Sequence, residues 1–92
     1  MEKRIGIVAI LADNRESIPK MNLIASEFHE IIRARQGLPF SDKNINIISL
    51  IVEGSTDQIG ALTGKLGRLP GLKVKSMLTK YRENDDDDSD DD

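Results

Sequence analysis

"NINIISLIVEGSTDQIGALTGKLGRLPGLKVK" (Asn44–Lys75) decides the fold, because it spells a strand, a helix start, a helix stop and a second strand in one run. Asn44 to Glu53 is dense in Ile and Val. Ile45, Ile47 and Ile51 fall on one face of a strand and Ile48, Leu50 and Val52 on the other. Apolar character on both faces marks a strand covered on both sides. After Gly54, the run Ser55-Thr56-Asp57-Gln58 has capping-box spacing, in which the Ser55 hydroxyl accepts the Gln58 N–H and the Gln58 side chain reaches back. Ile59, Leu62, Leu66 and Leu69 then recur at helical spacing. Pro70 cannot continue that helix, so Leu69-Pro70-Gly71 turns the chain. Leu72 and Val74 alternate with Lys73 and Lys75, the pattern of a half-exposed strand at a sheet edge.

Upstream, "RIGIVAILA" (Arg4–Ala12) repeats the doubly apolar pattern of the Asn44 strand. It follows "MEK" and so looks superficially like a signal peptide, but Asp13 and Asn14 bound its apolar part and no cleavage-type exit follows. Ile18, Met21, Ala25, Phe28 and Ile32 give the apolar stripe of a first helix. Pro19 belongs in its first turn, where a missing N–H costs nothing, which puts the N-cap at Glu16 or Ser17. Ile31 to Gln36 reads as a short edge strand, joined through Gly37-Leu38-Pro39 and the polar Ser41–Asn44 to the next strand. The order β-α-β-β-α-β predicts an α+β, ferredoxin-like sandwich: a four-stranded antiparallel sheet with two helices on one face. In that topology the first and third strands are central, and they are the two doubly apolar ones.

The net charge of −3 hides a division. "DDDDSDDD" (Asp85–Asp92) holds seven carboxylates, and positions 1–84 hold thirteen Lys or Arg against nine Asp or Glu, a net of +4. Carboxylates at that density repel and stay solvated, so residues 83–92 are expected to be a disordered acidic tail behind a folded domain over 1–82. The chain has no cysteine, which removes disulfides and thiolate metal sites and fits a reducing cytoplasm. Its longest apolar run is too short to span a bilayer, so no membrane partner is expected.

No catalytic or metal-ligating set is legible, and no cofactor can be named. Gly60, Gly64 and Lys65 invite comparison with a phosphate-binding loop. The spacing is one residue short, Leu66 stands where the metal-binding hydroxyl belongs, and the segment lies inside a helix already capped at Ser55. Gly60, Gly64 and Gly67 instead fall on one helical stripe away from the apolar one. Either Gly67 ends the helix and the others are tolerated, or the bare stripe admits a ligand or another backbone. His29 is a lone histidine and reads as a surface or packing residue. Asn46 and Ser49 are polar inside a central strand; they either pair with neighbours or face an inter-subunit cavity. The same topology serves RNA-recognition modules, but those stack bases on aromatics of the central strands, which are lacking here. Direct nucleic-acid binding is therefore not expected.

With both helices on one face, the other face of the central strands would show Ile and Val to water, which marks an interface. A homo-oligomer, dimer or tetramer, is expected, with Val8, Ile10, Ile48, Leu50 and Val52 as interface candidates. Asn46, Ser49, Gly60 and Gly64 are the candidates for a ligand or a close approach.

"KRIGIVAILADNRESIPKMN" (3–22) and "GLPFSDKNINIISLIVEGSTDQIGALTGKLGRLPGLKVK" (37–75) closely resemble the iron-only hydrogenase system regulators, small proteins of anaerobic bacteria encoded near hydrogenase maturation genes. "INIISLIV" followed by "ALTGKLGRLPGLKVK" is the most specific part. The resemblance covers Lys3 to about Lys80. It implies an ACT-like form of the ferredoxin-like fold, akin to the sensory domain of nickel-responsive regulators, and oligomers assembled through sheets. It implies a non-enzymatic regulatory module that senses a small ligand or metal at a subunit interface. It carries no ligand or catalytic residue onto this chain, and the acidic tail departs from the family pattern. Two other functions fit the same residues: an amino-acid-binding ACT-type module acting on an enzyme, and a structural adaptor for hydrogenase maturation proteins.

Overall fold

Strand β1 (Arg4–Ala12) pairs antiparallel with β3 (Ile45–Gly54) along its whole length, from Arg4 opposite Gly54 to Ala12 opposite Asn46. The computed structural model describes residues 2–13 and 15–82. Helix α1 (Ser17–Glu27) and strand β2 (Ile32–Phe40) lie between those two strands in sequence, and α2 (Thr56–Gly67) and β4 (Leu72–Arg82) follow them. The sheet is antiparallel in the order β2-β3-β1-β4, so the doubly apolar strands are central, as the sequence predicts. This is the ferredoxin-like α+β arrangement. The tail expected over 83–92 lies outside the described residues.

The core forms where one sheet face meets the helices. Val8, Ile10 and Ala12 of β1, Ile48, Leu50 and Val52 of β3, and Leu72 of β4 pack with Met21 of α1 and Ile59, Leu62 and Leu66 of α2. This corrects the interface expectation. Val8, Ile10, Ile48, Leu50 and Val52 are all at most 4% exposed and lie inside the protomer. Strand β4 supplies the physical reason. Ile10 stands opposite Val74 and Ala12 opposite Leu72, so the apolar side of the edge strand shares a face with Val8 and Ile10. The helices cover that face, and Lys73 and Lys75 of β4 point the other way.

Strand β2 also differs from expectation. It is not confined to Ile31–Gln36 but runs on through Gly37 and Pro39 to Phe40. Proline is tolerated there because β2 is an edge strand. The hairpin turn is Ser41–Asn44: the Lys43 N–H donates to the Phe40 carbonyl at 2.9 Å, and Asn44 takes a left-handed φ of 58°, which asparagine accepts more readily than most residues. At the other end of β2 the register slips. Ile32 faces Val52, yet Ala34 faces Ile51, leaving Arg33 as an extra residue. A bulge of this kind reverses the alternation of every side chain that follows it. It sends Arg35, Gly37 and Pro39 to the helix side of the sheet and Gln36 and Leu38 to the open side.

The local signals around α2 appear as read. The Gln58 N–H donates to the Ser55 hydroxyl at 3.1 Å, and the Ser55 N–H donates to Gln58 Oε1 at 2.9 Å. Ser55 is buried, so water cannot fully replace its oxygen. Ser55→Ala should therefore lower the unfolding free energy by about 1 kcal/mol. Urea titration checks this: the midpoint should fall with the slope unchanged.

Leu69-Pro70-Gly71-Leu72 is a tight turn with Pro second and Gly third. Gly71 has φ 80°, and the Leu72 N–H reaches the Leu69 carbonyl at 3.4 Å. The buried Ser17 hydroxyl donates to the Pro70 carbonyl, tying the start of α1 to this turn. Gly6 answers a different demand. A Cβ there would lie 2.7 Å from the Met77 carbonyl oxygen, so β1 and β4 approach too closely for any side chain.

Candidate functional site

The open sheet face is built in rows set by the strand register. Leu38, Ile47, Leu11 and Lys73 form one row across β2, β3, β1 and β4. Gln36, Ser49, Ala9 and Lys75 form the next, and Ala34, Ile51, Ile7 and Met77 a third. Leu38 is 58% exposed, Met77 60% and Ile51 37%. The aliphatic side chains thus form two apolar bands, separated by a small and polar row. Lys73 and Lys75 border them on the β4 edge. A shallow depression of about 280 Å³ lies beside Ser49, between Ala34, Arg35, Gln36 and Ile51.

The structure separates the four residues expected near a ligand. Ser49 belongs to the open face. Asn46 lies on the helix side of β3 and lines a cleft beside α1. Gly60 and Gly64 lie on the exposed side of α2, where an added Cβ would meet nothing within 4 Å. Leu38, Gln36 and Arg35 were absent from the sequence-based candidates, because Gly37-Leu38-Pro39 reads as a loop and the bulge at Arg33 leaves no mark on periodicity.

The Gly-Lys segment lies inside α2, well past the Ser55 cap, and does not open the helix as a phosphate loop would. Leu66 is a core residue, and Lys65 Nζ lies 3.0 Å from Glu27 Oε1 and 5.7 Å from the centre of the Phe28 ring. Those contacts clip α2 to α1 at the surface, where each ion pair adds little to stability. His29 is exposed and donates from Nδ1 to the Ser26 carbonyl at 3.0 Å. Among the described residues, no three His, Cys, Asp or Glu side chains converge as a metal site would require. No helix is long and apolar enough to cross a membrane.

The family described as "TM1266-like: Iron-only hydrogenase system regulator, putative" matches residues 4–76, from the start of β1 into β4. Among solved structures, the uncharacterized protein TM1266 from Thermotoga maritima is 37% identical, with a TM-score of 0.81 over 85% of this chain and 99% of that one. The C-terminal domain of the MgtC protein from Mycobacterium tuberculosis has a TM-score of 0.62 at 12% identity, over 89% of this chain and 94% of that one, which is a likeness of fold alone. No curated protein matches the chain. Strands β1 to β3, both helices, the Leu69–Gly71 turn and the first part of β4 fall within the family match, and this chain belongs to the family of TM1266-like iron-only hydrogenase system regulators.

Proposed function

We propose that this protein is a cytoplasmic, non-enzymatic regulator of an iron-only hydrogenase system that works as a homo-oligomer joined through its open sheet face. The apolar rows on that face are the observation that carries this reading. Strand spacing and rise make the face roughly 19 by 27 Å, about 500 Å². Two copies packed face to face would bury about 1,000 Å², the lower bound for a specific interface. Apolar bands on either side of the uncharged Ser49 and Ala9, with Lys73 and Lys75 at the border, also match the usual layout of an interface, in which charges stay at the wet rim.

No helix-turn-helix or other DNA-reading element occurs among the described residues, so the output is expected to pass through a protein partner. A ligand-responsive form of the regulator, akin to amino-acid-binding ACT-type modules, is favoured by the cleft beside α1. Light scattering at micromolar concentration tests the assembly. A mass of two or four chains is the expected result, and a clean monomer mass would overturn the reading.

A further inference from the structure

The cleft between α1 and edge strand β2 carries an exposed arginine on the helix-facing side of the sheet. Arg35 stands opposite Leu50, a buried residue of the helix-facing side, and the bulge at Arg33 is what turns it there. Without that extra residue Arg35 would join the open face. Bulges re-aim side chains in this way beside binding and catalytic sites.

Two lobes open on either side of Arg35. One, about 180 Å³, has Ile18, Met21, Pro39 and Ile48 among its walls and Asn46 at its margin. The other, about 300 Å³, runs along Asn22 and Ser26 of α1 and His29 in the turn that follows it. The small inward side chains of β2, Gly37 and Pro39, leave the first lobe unfilled. Among the described residues neither the Arg35 guanidinium nor the Asn46 amide has a hydrogen-bond or ion-pair partner.

We infer that this cleft binds a short branched organic carboxylate, its carboxylate on Arg35 and its apolar body against Met21 and Ile48. A guanidinium matches one planar carboxylate with two parallel hydrogen bonds. No lysine and no second arginine lines either lobe, so a phosphate dianion would remain half neutralised beside apolar walls. Asn46 is the amide available to a second polar group on the ligand. The inference deepens the ligand-responsive reading above and rests on it for its biological role, but the site stands on its own geometry.

The test is amide chemical-shift titration of the full chain with isovalerate and, as the uncharged twin, isovaleramide. Isovalerate should give saturable shifts confined to α1, to Arg35–Phe40 and to Asn46–Ile48. Isovaleramide should bind at least about tenfold more weakly, because only the anion makes charge-assisted bonds. Arg35→Gln should weaken isovalerate by a similar factor. Gly37→Leu should abolish binding by filling the apolar lobe. Its backbone is not in the left-handed region, and a Cβ there meets only Ile48 Cγ1 at 3.7 Å and the Ile47 carbonyl at 4.0 Å. Equal binding of acid and amide, indifference to Arg35→Gln, or no saturable shift would overturn the inference. The acid–amide comparison uses the unaltered protein, so it holds even if a variant misfolds. A monomer that binds isovalerate defeats the assembly alone, and an oligomer that does not bind it defeats the cleft alone.

Discussion

Val8→Lys should leave no folded protein at room temperature, whereas Ala9→Lys, one residue along the same strand, should fold. Val8 has no exposed surface and lies in central strand β1, opposite Leu50 of β3 and Ser76 of β4, on the side the helices cover. Removing the valine forfeits about 1.5–3 kcal/mol of burial. Leaving an ammonium group there without a partner adds several kcal/mol more. A domain of this size has only about 4–12 kcal/mol of stability in total. The substitution therefore consumes most or all of it. Ala9 is exposed on the open face, and a lysine there meets water in the monomer. Circular dichroism and urea titration separate the two: no cooperative transition for Val8→Lys, a midpoint near that of the parent for Ala9→Lys. Leu50→Lys should be milder than Val8→Lys, because Leu50 borders the cleft beside α1 and a lysine there can carry its charge outward.

The contrast between Val8 and Ala9 shows what the sequence could and could not convey. Element type and order were legible because each rested on a local signal. Ser55 and Gln58 announced the start of α2, Pro70 and Gly71 its end, and two doubly apolar strands had to be the central ones. Which face the helices cover is not a local property. Both faces of β1 and β3 are apolar, so alternation separates two sets of residues without ranking them. The ranking comes from β4, whose Lys73 and Lys75 must face away from the helices, and it passes to β1 only through the pairing of Val74 with Ile10 and Leu72 with Ala12. A slip of one residue in that pairing would exchange the two faces. The full extent of β2 was hidden for a related reason. Its alternation is broken by the extra residue Arg33, and Gly37 and Pro39 imitate a loop. Leu38 and Arg35, one on each face, were lost with it.

The open face is thus the place to separate assembly from folding, and Ile51→Glu should do so. Ile51 lies in central strand β3 between Ala34 and Ile7, already 37% exposed in the protomer. A glutamate there costs the protomer little, since surface substitutions away from the core usually change stability by less than about 1 kcal/mol. In a face-to-face assembly the same residue would be covered by a second sheet. Its side chain is too short to bring the carboxylate past β2 to the rim, because neighbouring strands are about 4.8 Å apart. A two-fold arrangement buries the substituted residue twice, and each uncompensated carboxylate costs several kcal/mol. Even about 4 kcal/mol in sum weakens association about a thousandfold. Ile51→Glu should therefore sediment as a monomer at concentrations where the parent is assembled, with an unchanged far-ultraviolet spectrum and urea slope. Lys73→Gln is the matched control: a rim residue whose loss should leave the mass as it was. If Ile51→Glu keeps the parent mass, the open face is not where the subunits meet. Association must then run along the exposed edges of β2 or β4 or across the bare stripe of α2, where Gly60 and Gly64 leave room for another backbone.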